Sequence, residues 1–103
     1  MALAGRIPRL SASIKRGLIQ LGVAPGTARY RAAWATVGAL SRAETLPGPA
    51  DFETAFAPAR AHVRRVVGEN LWILYRFDAT YVDLLAIRNA PPVPADPEPA
   101  GPA

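Results

Sequence analysis

The chain has 103 residues, half of them apolar, and carries a formal net charge of +4. That suits one domain with one modest core and excludes a disordered composition. With no cysteine and a single histidine, the chain has no disulfide framework and no thiolate zinc site, so no metal and no cofactor are expected. No apolar run approaches the roughly 20 residues of a membrane span, and residues 1–20 lack the long apolar core of a signal peptide. The expected setting is cytoplasmic, without a membrane partner.

The charge is uneven. Met1 to Ala43 holds seven basic residues and no acidic one, and all the basic residues of the chain except Lys15 are arginine. Arginine suits phosphate forks and base stacking. A GC-rich genome also supplies it by default, and the abundance of Ala, Gly and Pro fits that explanation equally well. A basic body nevertheless attracts nucleic acid or an acidic protein.

In chain order, the N-terminal half reads as a helical hairpin. Pro8 is suited to open a first helix, in which Leu10, Ile14, Leu18 and Leu21 recur at helical spacing. Gly22 is a stop signal. Pro25-Gly26-Thr27 restarts the chain into a second helix from Thr27 to Arg42. Tyr30, Ala33, Trp34, Val37 and Leu40 form its apolar stripe, so Trp34 is expected in the core rather than on a ligand platform. Met1 to Ile7 reads as a poor strand. The stretch from Leu46 to Ala59 reads as a loop, with Phe52 and Phe56 spaced for one helical turn on the sheet edge.

Three strands follow. A basic strand from Ala59 to Val67 meets a turn at Gly68-Glu69-Asn70. A strand from Leu71 to Phe77 meets a second turn at Asp78-Ala79-Thr80, and Tyr81 to Arg88 is the third. Two tight connections in a row predict an antiparallel meander. In the middle strand, Leu71, Ile73, Tyr75 and Phe77 share one face, assigned to the helices. Trp72, Leu74 and Arg76 share the other. An aromatic beside a guanidinium on an open sheet face can stack bases, bind a partner, or sit under a loop. Alternation lets only one of Arg64 and Arg65 face that side. After Ala90 the chain holds six of its eleven prolines. Residues 91–103 therefore read as a disordered or polyproline-like tail beyond a single domain of residues 1–90.

RNA cleavage through the 2′-hydroxyl needs a base, a cation for the phosphate and an acid for the leaving oxygen. His62 is the one side chain with an ordinary pKa near neutrality, and Arg64, Arg65, Arg76 and Arg88 are candidates for holding phosphate.

The second half resembles the RelE/ParE toxins of bacterial toxin–antitoxin pairs. The resemblance is carried by Arg64-Arg65-Val66-Val67-Gly68, then Ile73-Leu74-Tyr75-Arg76-Phe77-Asp78, then Val82-Asp83-Leu84-Leu85-Ala86-Ile87-Arg88. It implies an α+β fold in which an N-terminal helical hairpin packs on one face of a small antiparallel sheet. It also implies a toxin that either cleaves mRNA, usually on the ribosome, or inhibits DNA gyrase, and that is neutralised by an acidic antitoxin. On this reading His62, Arg65 and Arg88 form the catalytic set, and Arg64, Trp72 and Arg76 bind RNA. The alternative is a non-catalytic protein of the same fold that blocks gyrase or only binds its antitoxin. The chain departs from the ribonuclease pattern at Trp72, where the family often has Arg. It departs again after Arg88, where prolines replace a segment that often carries a Tyr.

Overall fold

A computed structural model describes residues 5–55 and 61–94. The sheet begins earlier in the chain than its composition suggests. Strand β1, Ile7–Leu10, precedes helix α1, Ala12–Gln20, and helix α2, Ala28–Arg42. Four strands follow: β2, Phe52–Glu53; β3, His62–Val66; β4, Leu71–Phe77; and β5, Tyr81–Arg88. The five strands form one sheet in the order β1-β5-β4-β3-β2. The meander of β3, β4 and β5 is antiparallel as expected. β1 runs parallel to β5, so the sheet is mixed and has five strands rather than three. The protein is a small α+β fold with two helices and a mixed sheet.

The first helix starts later than predicted because Pro8 and Leu10 belong to β1. A proline is tolerated there because β1 is an edge strand. Ser11 caps α1: its hydroxyl accepts from the Ile14 N–H at 3.1 Å and donates to the Leu85 carbonyl at 2.8 Å, tying the helix start to β5. The stop at Gly22 is as predicted. Gly22, at φ +70, and Val23 donate back to Ile19 and Leu18 in a Schellman closure. Thr27 caps α2, its hydroxyl accepting from the Tyr30 N–H. Gly17 lets α1 approach β5 closely, since a Cβ there would come within 2.8 Å of Ile87 Cγ2. Phe52 lies in β2 rather than in a helical turn, and Phe56 is outside the described residues.

Both helices lie on one face of the sheet. Ile14, Val37 and Leu40 from the helices pack with Leu71, Ile73, Tyr75, Val82, Leu84 and Ile87. The predicted face assignment for β4 is therefore correct, and Tyr75 is fully buried in this core. Tyr30 and Trp34 pack at its margin, edge to face with centroids 5.9 Å apart.

The opposite face is not open. Ala61, Val63, Trp72, Leu74 and Ala86 form a second buried cluster, with Phe52 and Leu85 against it. Residues 91–94, expected in a disordered tail, return to the sheet. The Ala55 N–H donates to the Val93 carbonyl at 2.8 Å, and Pro94 bridges to Thr54. The rest of that segment, 95–103, lies outside the described residues.

Candidate nucleic-acid interface

The second face of the sheet takes its charge from strand register. Arg65 stands opposite Trp72, and Trp72 stands opposite Arg88. The three form one row across β3, β4 and β5. Two strand spacings place the outer Cα atoms about 10 Å apart. Both arginines are exposed, and the Arg65 guanidinium lies 5.6 Å from the Trp72 ring centre. Trp72 itself is only 8% exposed. The expectation that it presents a ring to solvent is thus corrected. Its ring fills the second cluster beside Leu74 and supports Arg65 from below.

Arg88 reaches this row because of an irregularity in β5. Leu74 pairs with Ala86 while Tyr75 pairs with Leu84, so Leu85 is an extra residue in β5. Strict alternation would put Arg88 on the face of Val82 and Leu84, under the helices. The bulge shifts the phase by one, so that Ile87 joins the helix-side core and Arg88 turns to Trp72.

Arg76 lies on the same face at the far end of β4, opposite Asp83. Arg9 of β1 takes Asp83 in a bidentate pair, with Nε at 2.6 Å, and stacks on Tyr81 at 3.7 Å. Arg76 stands four residues, or about 13 Å, along β4 from Trp72, so it belongs to a different charge group.

His62 and Arg64 are on the helix side. His62 pairs with Tyr75 and Arg64 with Ile73. The His62 ring lies 5.6 Å from Tyr75 and 5.5 Å from Phe77, centre to centre. The Arg6 guanidinium covers Phe77 at 5.3 Å. Arg64 Nε donates to Asp51 Oδ1 at 2.5 Å, and the Asp51 side chain has no solvent exposure. The Tyr75 hydroxyl and the Gly48 N–H donate to Asp51 Oδ2. Burial alone would push the Asp51 carboxyl up, but the hydrogen bonds from Arg64, Tyr75 and Gly48 outweigh it and hold the group below the usual carboxylate range. Burial, reinforced by the bond to Asp51, pushes the Tyr75 hydroxyl well above its ordinary value. Arg64 is therefore engaged by the buried loop anchor at Asp51.

The three residues nominated for catalysis do not share a site. Arg65 and Arg88 come together with Trp72, while His62 is on the other side of the sheet. Sequence reasoning missed Asp51, which sits in a Pro- and Gly-rich loop without periodicity, and Arg6. Among the described residues no group of His, Asp and Glu is placed to hold a metal, and no helix is long and apolar enough to cross a membrane. Compared with family models, with characterised proteins and with solved structures, the chain finds no match.

Proposed function

We propose that this chain is the toxin of a bacterial toxin–antitoxin pair, with a RelE/ParE-like arrangement, and that it inhibits translation by engaging mRNA through the sheet face opposite the helices. One observation carries this reading: two exposed arginines, Arg65 and Arg88, flank Trp72 in a single cross-strand row. Guanidinium groups hold phosphate through charge-assisted, often bidentate bonds. A chain of net charge +4 adds long-range attraction for RNA. The helix pair on the other face and the β3–β4–β5 meander agree with the sequence resemblance. The same basic surface suits an acidic antitoxin.

The chemistry open to the row is charge stabilisation at a scissile phosphate. His62 has no part in it, because the sheet stands between. That separation favours a second reading, in which the protein binds its target without cleaving it, gyrase included.

Induced expression followed by mapping of mRNA ends, with gyrase supercoiling measured in parallel, decides between them. The first reading expects growth arrest and new mRNA ends, both lost in the Arg65→Gln/Arg88→Gln double variant but retained in His62→Ala. For purified protein, each Arg→Gln change should lower the salt slope of RNA binding by about one. Intact messages with inhibited supercoiling assign the gyrase activity instead. Normal growth and no effect in either assay refute the toxin reading.

A further inference from the structure

Beside Arg88 the second face opens into a cleft of about 270 Å³, lined by Thr54, Leu74 and Arg88 and roofed by residues 90–93. The roof is held by the hydrogen bond from Ala55 to Val93 and the bridge between Thr54 and Pro94. The prolines keep the roof extended and stiff, since their rings fix φ. The cleft is thus formed by a strap crossing a sheet, not by a loose gap between side chains.

Its lining is chemically mixed. Pro91, Pro92 and Val93 give the apolar surface, Leu74 is covered at 1% exposure, and Thr54 is the polar side chain among them. Arg88, an exposed residue, lines the same cleft. Apolar walls with a few placed polar groups are the usual make-up of a ligand site. The volume is just below the usual range for such sites, which begins at about 300 Å³. It suits one flat ring system and not a larger molecule.

We propose that this cleft is a nucleotide subsite: it takes a base against the proline strap of Pro91, Pro92 and Val93, with the attached phosphate on Arg88. The inference rests on the RNA reading above and gives it a place for one base. Arg65, in the same row across Trp72 with its Cα about 10 Å from that of Arg88, supplies a second cation for an RNA strand.

The test is NMR shift mapping on the full chain, titrated separately with adenosine 5′-monophosphate, a short single-stranded RNA, inorganic phosphate and decanoate. The nucleotide and the RNA should both move resonances of Thr54, Leu74 and Val93. RNA that moves these same resonances while the free nucleotide does not also supports the subsite, and identifies its ligand as a base within a strand; RNA that moves only Arg65 and Arg88 overturns it. Arg88→Gln should weaken nucleotide binding at least tenfold. Ala90→Trp places a large side chain in the cleft from an exposed position, and should weaken nucleotide binding at least tenfold while inorganic phosphate still shifts Arg65 and Arg88. Val93→Trp serves the same purpose should Ala90→Trp fail to fold. Nucleotide shifts identical to those of inorganic phosphate, unchanged affinity in a folded cleft-filling variant, or equal binding of decanoate would each overturn the subsite. Growth arrest that depends on Arg65 and Arg88 but is indifferent to filling the cleft sinks the subsite alone. Nucleotide binding in the cleft without growth arrest removes the toxin reading and keeps the subsite.

Discussion

Replacing Asp51 by Ala removes the acceptor shared by Arg64, Tyr75 and Gly48. The Tyr75 hydroxyl is left in a residue with no solvent exposure, which costs about 1–3 kcal/mol for an orphaned buried donor. The Gly48 N–H loses a bond worth about 1 kcal/mol. Breaking a fully buried ion pair costs about 3–5 kcal/mol, but the Arg64 side chain is 22% exposed, so water screens part of its loss. The three terms overlap because the groups are in contact, and the expected net cost is about 3 kcal/mol. For a chain near 100 residues that lowers Tm by roughly 12–24 °C. Urea unfolding should show a lower midpoint with an unchanged slope. Acidity supplies a second readout. The Asp51 carboxyl is held below its ordinary value in the folded state, so its contribution is complete above the ordinary carboxylate pKa, about 3.9. It is lost as the pH falls through the depressed folded value. The stability gap between the native chain and Asp51→Asn should therefore be largest near neutrality and narrow in acid. A cost below about 0.5 kcal/mol for Asp51→Ala, the size of an ordinary surface change, or a gap just as wide at pH 3, would refute the role given to this anchor.

Two further outcomes concern the two faces of β4. Ile73 is 1% exposed on the helix side, and Ile73→Ala should cost about 2–5 kcal/mol; thermal unfolding within a degree or two of the native chain would contradict the packing. Trp72→Ala should cost about 3–5 kcal/mol in the same assay, because Trp72 belongs to the second core. A stable Trp72→Ala protein that loses only RNA binding would restore the ring to the role of an exposed platform.

Much of the fold was legible because it is written in local pattern. Alternation in β4 identified its two faces, Gly22 and Thr27 marked helix ends, and Gly68, at φ +84, marked the turn into β4. β1 was not legible. Its four residues carry Pro8 and Arg9, and what holds them extended is a parallel partner more than seventy residues away, including the Arg9–Asp83 pair. Covering of the second face was invisible for a similar reason. A proline-rich run reads as tail, and only the hydrogen bond from Ala55 to Val93 and the Thr54–Pro94 bridge place it over the sheet. Of the candidate residues, Arg65 and Arg88 share a row with Trp72 while His62 and Arg64 lie on the helix side, a grouping that depends on phase.

The phase of β5 decides where the charge goes. With uninterrupted alternation, Val82, Leu84, Ala86 and Arg88 would share one face, and a guanidinium would enter the helix-side core with no carboxylate on the facing part of β4. Burial of such an unpaired charge is costly. The extra residue at Leu85 avoids that cost, since it lets Val82, Leu84 and Ile87 all face the helices while Ala86 and Arg88 face away. Nothing in LLAI signals the change, because every residue in the run is apolar and either face would accept it. One inserted residue thus completes the helix-side core and delivers the second cation of the Arg65–Trp72–Arg88 row. The stability of the sheet and the charge on its outer face follow from the same bulge.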